Sequence, residues 1–208
     1  MNCILAFLIF SGVIATGSAK SCYTCKVLGE GNNDCPGDLQ ECPNEDDFCV
    51  NQRESSRIVT PSGIDNKVTI KKGCMPIANK NVCQQQPIAL DCNEMTFSLY
   101  SECCFEDECN LKGLQIPADN TTKNGLECPT CFVEEKEACP KAEPKKCTGN
   151  ANICLDFTGH VQRPDDANKL YAFQGCADEN ICKINLKDLP GCEVGDDAKL
   201  TCTQKENV

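Results

Sequence analysis

The chain carries 21 cysteines in 208 residues, and that density limits its possible folds more than any other feature. Chains this rich in cysteine hold small, loop-rich units together covalently, in an oxidising compartment, instead of relying on a large apolar interior. The rest of the composition agrees: aromatic residues make up 5% and tryptophan is absent. A large single hydrophobic core is therefore not expected. Bridges that close loops of about 25 residues each remove roughly 3 to 4 kcal/mol of unfolded-state entropy on the loop-closure model, so several per domain can replace a core.

The first residues address the compartment. Ile4 to Ala15 is an apolar run too short to span a bilayer, and Gly17-Ser18-Ala19 places small residues where a signal peptidase reads. A signal peptide over residues 1–19 is predicted, cleaved after Ala19, although its first residues include neither Lys nor Arg. Cys3 leaves with it, so the mature chain from Lys20 carries an even 20 cysteines, all of which can pair. The C-terminal stretch Cys202 to Val208 is polar and lacks the hydrophobic tail of a lipid-anchor signal. A secreted, extracellular product that is not membrane-anchored is expected.

The mature cysteines fall into two series. The first is Cys22, Cys25, Cys35, Cys42, Cys49, Cys74, Cys83, Cys92, Cys103, Cys104 and Cys109; the second is Cys128, Cys131, Cys139, Cys147, Cys154, Cys176, Cys182, Cys192 and Cys202. Matched in order, with Cys104 and Cys109 left over, the offset drifts only from 106 residues (Cys22 to Cys128) to 99 (Cys103 to Cys202). This is an internal duplication. Cys-x-x-Cys opens each copy, and Gly73-Cys74 matches Gly175-Cys176. Between the copies, Gly113 to Gly125 contains Pro117, Asp119, Asn120, Thr121, Thr122 and Asn124 without periodicity and reads as a linker. The boundaries are thus 20–112 for the first domain, 113–125 for the linker and 126–208 for the second domain.

Apolar residues within each copy are spaced as in strands. Ile58-Val59 precedes the turn residues Pro61-Ser62-Gly63, after which Val68 and Ile70 alternate with Lys67, Thr69 and Lys71. That pattern predicts a hairpin closed at its base by Cys49 and Cys74. Leu155, Phe157 and Leu170 to Phe173 occupy the matching stretch between Cys154 and Cys176. No segment shows a capped helical repeat, so both copies read as small all-β domains whose hairpins project from a cysteine-knotted base. Phe157, Tyr171 and Phe173 are the aromatics with the best claim to an exposed role, though in hairpins such residues more often pack against the disulfide base.

The formal charge is -11, and the Lys/Arg residues form no cluster beyond pairs such as Lys71-Lys72 and Lys145-Lys146. Nucleic acid and anionic membrane surfaces are poor partners for such a chain, and basic proteins are better ones. Acidic groups at Glu45-Asp46-Asp47, Glu106-Asp107-Glu108, Glu134-Glu135 and Asp165-Asp166 could steer a basic partner, while the ordinary role of any one cluster is to solvate a loop.

Chemical readings fare less well. The two Cys-x-x-Cys motifs could be zinc knuckles or a redox site, but each opens a repeated cysteine series in an oxidising compartment, which favours structural bridges. His160 is the single histidine, and no Gly-x-Ser-x-Gly elbow is present, so a Ser-His or Cys-His enzyme has little to work with. Asp46-Asp47 and Asp165-Asp166 lack the alternating ligands and central glycine of a calcium loop. Neither an enzyme, nor a cofactor, nor a metal site is expected.

The cysteine grammar resembles one family. Cys22-x-x-Cys25, then Cys35, Cys42, Cys49 and Cys74, and the ending Cys103-Cys104-x-x-x-x-Cys109-Asn110 are similar to the three-finger LU domain of the urokinase receptor and lymphocyte-antigen-six proteins. The resemblance implies the bridges Cys22–Cys49, Cys25–Cys35, Cys42–Cys74, Cys83–Cys103 and Cys104–Cys109. Carried to the second copy, it implies Cys128–Cys154, Cys131–Cys139, Cys147–Cys176 and Cys182–Cys202, with no counterpart to the terminal pair. Cys92 and Cys192, at equivalent places in the third finger, are left over. An inter-domain bridge between them is the pairing carried forward; altered local pairing and an inter-chain bond stay open, and free thiols suit an oxidising compartment less.

Two such domains in one chain, with Asn120 to Cys131, Cys147-Thr148-Gly149 and Gly159-His160-Val161-Gln162, resemble the gamma-type phospholipase A2 inhibitors over essentially the whole mature length. That resemblance implies a secreted, non-enzymatic protein that binds and blocks secreted phospholipase A2 through rigid fingers. The architecture also resembles the sodefrin-precursor-like courtship pheromones of salamanders, which implies instead a secreted signal acting on another extracellular protein or receptor. Neither resemblance names the target or the oligomeric state. Asn120-Thr121-Thr122 is a glycosylation sequon in the linker, where it should be exposed.

Overall fold

The computed structural model describes residues 20–29 and 33–204. The predicted signal peptide, Cys3 and the last four residues lie outside them. Twelve strands dominate: β1 Ser21–Leu28, β2 Asp38–Glu41, β3 Phe48–Thr60, β4 Gly63–Met75, β5 Ile88–Asp91, β6 Met95–Cys104, β7 Lys123–Glu134, β8 Glu143–Thr148, β9 Ile153–Gln162, β10 Asn168–Ala177, β11 Glu193–Val194 and β12 Lys199–Gln204. Helix is confined to short 3-10 turns among the described residues. None is long and apolar enough to cross a membrane.

The first copy is three hairpins: β1–β2, β3–β4 and β5–β6. The middle hairpin turns on Pro61-Ser62, with Thr60 opposite Gly63. Gly63 has φ +136°, a conformation open to glycine and strained for other residues. Cys49 and Cys74 face each other across its base, each bonded elsewhere, Cys49 to Cys22 and Cys74 to Cys42. In the second copy β7–β8 and β9–β10 repeat the first two hairpins, and β9 carries β11 and β12 along its other edge. The side chains of Ile153, Leu155 and Phe157 alternate inward along β9, the period-2 pattern of a half-buried strand. The predicted linker is not wholly loose: β7 already begins at Lys123, Leu114 is buried, and its amide donates to the Asn33 carbonyl.

Among the described residues nine bridges are present, joining the cysteines as the three-finger resemblance implies. At the base of the first copy the Sγ atoms of Cys22 and Cys42, from different bridges, lie 3.3 Å apart. Cys128 and Cys147 repeat this stacking in the second copy at 3.5 Å. The two sulfur triads that could geometrically hold a metal, Cys22/Cys42/Cys74 and Cys128/Cys147/Cys176, are therefore made of oxidised sulfurs with no thiolate to donate.

Two expectations fail at the seam between the copies. The first is the absence of a large core. Ile58, Ile88, Leu90, Met95 and Leu99 of the first copy pack with Ile153, Leu155, Phe157, Tyr171, Ala177 and Ile181 of the second in one shared cluster. Neither copy could bury these side chains alone, and docking lets them bury each other. The sheet itself crosses the seam, because Leu90 and Asp91 of β5 pair with Ala177 and Cys176 of β10.

The second failure is the Cys92–Cys192 bridge. Both residues are buried and unbonded. Cys92 lies under β10, so close that a Cβ on Gly175 would press into its sulfur and the Asp91 carbonyl. Cys192 is held instead against β3 by Glu54 and Ser56. Equivalent positions in a duplicated chain have thus become non-equivalent positions around one interface.

Candidate binding surface

The seam decides which fingers are free. Arg163, 4% exposed, reaches from the tip of the second copy's middle hairpin into the first copy's. Its Nε donates to Ser56 Oγ at 3.1 Å, Nη2 to the carbonyls of Ser56 at 3.0 Å and Asp65 at 3.2 Å, and Nη1 to Asp65 Oδ2 at 2.5 Å. Burial works against the Asp65 charge, but the hydrogen bond and charge of Arg163 outweigh it and hold its carboxyl below the usual range. Glu54, 2% exposed, accepts from the amides of Gly191 and Cys192, each at 2.8 Å. There burial wins over the hydrogen bonds and raises the carboxyl. At the third finger of the first copy, Asn93 Nδ2 donates to Thr130 Oγ1 at 2.7 Å, and Asp91 pairs with Lys145.

The side chains thus occupied are not available to a partner, although the outermost part of β3–β4 is. Phe157, Tyr171 and Phe173, the aromatics singled out in the sequence, neither face solvent nor rest on the disulfide base; they belong to the shared cluster. The rings of Phe157 and Phe173 stack at 4.6 Å and those of Phe132 and Tyr171 at 5.8 Å. Sequence reading missed Arg163, Glu54 and Asp65 as interface residues. Glu54 and Arg163 offered one faint signal, being charged residues in otherwise strand-like segments.

Outside the joint lie the first finger, with Leu28 and Leu39 exposed, the surface residues Phe105 and Leu111, and the tip of β3–β4. Val59 and Ile64 are cross-strand partners there, 43% and 61% exposed, on either side of Pro61-Ser62. Two apolar side chains held side by side on a two-stranded tip lose little entropy when a partner covers them. The acidic groups are dispersed. Asp47 is buried and accepts from the Asn44 amide and side chain, so it braces a turn. Asp107 accepts from the Ser21 amide. Glu134 and Asp166 both pair with Lys169. Glu45, Asp46, Glu106, Glu108, Glu135 and Asp165 remain exposed.

His160 is exposed, with Nδ1 2.7 Å from Asp197 Oδ2. The Asp197 carboxyl is drawn below its ordinary range chiefly by that hydrogen bond. The pair ties β9 to the loop after β11, a bracing role for the imidazole. Burial pushes the thiols of Cys92 and Cys192 well above the usual cysteine range, so both stay protonated and poorly nucleophilic.

The u-PAR/Ly-6 domain family matches residues 18–112 and again 124–206. The chain belongs to the u-PAR/Ly-6 domain family. Among relatives of this u-PAR/Ly-6 protein, Protein RoBo-1 of Rattus norvegicus is 27% identical over 188 residues, 90% of this chain and 70% of the relative. A phospholipase A2 inhibitor of the gamma type from Elaphe climacophora is 27% identical over 186 residues, 88% of this chain and 86% of the relative. Phospholipase A2 inhibitor PIP of Malayopython reticulatus is 26% identical over 176 residues, 78% and 76% of the two chains.

Proposed function

We propose that this chain is a secreted, non-enzymatic binding protein that inhibits secreted phospholipase A2. The observation that carries the proposal is the similarity to named phospholipase A2 inhibitors along both copies, spanning most of each chain. The physical picture supports it. Nine bridges and a shared core make the two copies one preorganised body, so binding costs little in loop ordering. The apolar tip at Val59 and Ile64 supplies a contact, and the net charge of -11 favours encounter with a basic enzyme.

The test is binding of the disulfide-intact chain from Lys20 onward to a panel of secreted phospholipases A2, with hydrolysis followed in the same samples. Saturable binding with lost hydrolysis is the expected outcome, with association slowing as salt rises. Absence of binding across acidic and basic enzymes alike overturns the inhibitor reading and turns attention to receptors, as a secreted signal would require.

A further inference from the structure

We propose that the N-linked glycan of Asn120 folds back into a groove of mixed polarity between the two copies and seats there as a structural part of the protein. The proposal is independent of any inhibitory activity. Opposite the shared core, the sheet of the first copy turns a second face outward. On it stand Arg53 and Ser55 of β3, Ser98 and Thr96 of β6, and Ala89 of β5, with Ser55 opposite Ser98 and Ala89 opposite Ser98 in register. These small and hydroxyl-bearing side chains form the floor of a groove of about 560 Å³. Its walls are the linker at 116–121 and the second copy at Thr148, Asn150 and Ala151. That volume lies within the range of ligand pockets, and the lining mixes hydroxyls, amides, one guanidinium and the carboxylates of Asp91, Asp119 and Asp178 with apolar patches at Leu90, Phe97 and Ile116, a mixture that suits the polar rim and apolar faces of a sugar.

Four observations point to the chain's own glycan. Asn120 is itself on the groove wall, so a sugar attached there begins at the mouth. Its side chain is exposed, and Oδ1 accepts from the Thr122 amide at 3.0 Å, which leaves Nδ2 as the atom to be glycosylated. Its carbonyl faces Gly149, where φ is +56° and an added Cβ would come within 2.5 Å of that oxygen, and the Gly149 amide donates to the Thr122 carbonyl at 2.8 Å, which ties the linker to the second copy beside the sequon. Arg53 lines the floor, and its Nε, just beneath the surface, has no partner among the described residues, a donor that a sugar hydroxyl would satisfy after a small side-chain shift.

The chain is expressed through a secretory pathway that makes high-mannose glycans and compared in three forms: intact, trimmed by endoglycosidase H to the first sugar, and as Asn120→Gln. Arg53 is followed by the exchange rate of its Nε proton in NMR spectra. We expect intact mass to report one glycan at Asn120 and exchange at Arg53 to be at least tenfold slower in the glycosylated forms than in Asn120→Gln. Ser98→Phe fills the floor without touching the sequon. It should keep the glycan mass while raising Arg53 exchange in the glycosylated form towards that of Asn120→Gln. A secreted chain with no glycan on Asn120, or a glycosylated chain whose Arg53 exchange equals that of Asn120→Gln, overturns the proposal.

Discussion

The middle hairpins of the two copies descend from one duplicated unit and have come to opposite uses. In the first copy β3–β4 runs 13 residues a side and ends on an exposed apolar pair, Val59 and Ile64. In the second, β9–β10 runs 10 residues a side and buries Phe157 and Tyr171, with Arg163 at its tip inserted into the first. Both hairpins build the joint, but only the first keeps an exposed apolar tip beyond it. The contrast shows how a disulfide-built fold escapes its small core: the bridges make each copy rigid, and one copy's fingers can then be given over to burying apolar surface against the other.

Removing the joint should have the largest effect. Arg163→Ala strips four hydrogen bonds and leaves Asp65 facing the seam. A loss of about 2 to 3 kcal/mol is expected in denaturant melts, below the usual cost of breaking a fully buried pair because the Asp65 side chain is 37% exposed. A loss under about 0.5 kcal/mol, the size of an ordinary surface change, would mean that the hairpin tips are not a joint.

The matched glycines sharpen the comparison at one position. An added Cβ at Gly175 collides with Asp91 and Cys92 across the seam, whereas at Gly73 its nearest neighbour is a Thr24 side-chain atom at 3.9 Å. Gly175→Ala should cost about 1 to 3 kcal/mol by overpacking, and Gly73→Ala less than about 0.5 kcal/mol. Equal effects of the two changes on the melting midpoint would remove the asymmetry.

Glu54 gives the seam a pH signature. Its folded-state pKa is raised, so the folded form holds the proton more tightly than the unfolded chain. Its contribution is fully present below the ordinary carboxylate pKa and is lost as pH rises through the raised one. Stability should fall over that window, and Glu54→Gln should flatten the fall. A variant whose stability tracks the parent at every pH would show that the carboxylate is not desolvated.

At the presented hairpin the effect should be on binding rather than stability. Val59→Ser and Ile64→Ser should change stability by no more than about 0.5 kcal/mol. If phospholipase A2 is the partner, both should weaken its binding at least tenfold, and unchanged affinity would place the contact elsewhere. Least of all should be the reactivity of the two thiols. Iodoacetamide should add nothing to the folded, unreduced chain and two groups after unfolding, at Cys92 and Cys192. No addition after unfolding would mean that they are bridged.

Much of each copy was legible because its signals are local or repeated. Pro61-Ser62-Gly63 between alternating apolar runs marks a hairpin by turn chemistry and period alone. The bridges were legible only through resemblance, since spacing cannot choose among connectivities. The candidate surface was read less well: Val59 was noticed as strand, while of the aromatics that drew attention Phe157 and Tyr171 lie buried in the shared cluster and Phe173 packs half-buried against it. Burial of a half-apolar hairpin face looks the same in sequence whether the cover is its own disulfide base or another domain.

The amino-acid sequence by itself thus determined the duplication, the all-β hairpins and the cysteines available to brace them, because periodicity, turn residues and repeat spacing act over short distances along the chain. Only the tertiary structure decided that the copies share one core, that Cys92 and Cys192 stay apart, and that of the two middle fingers the first keeps an exposed apolar tip. These outcomes depend on residues about a hundred positions apart or more, such as Ser56 with Arg163 and Glu54 with Cys192. Two near-copies of one pattern carry no mark of which will dock and which will be left exposed until their faces are fitted together.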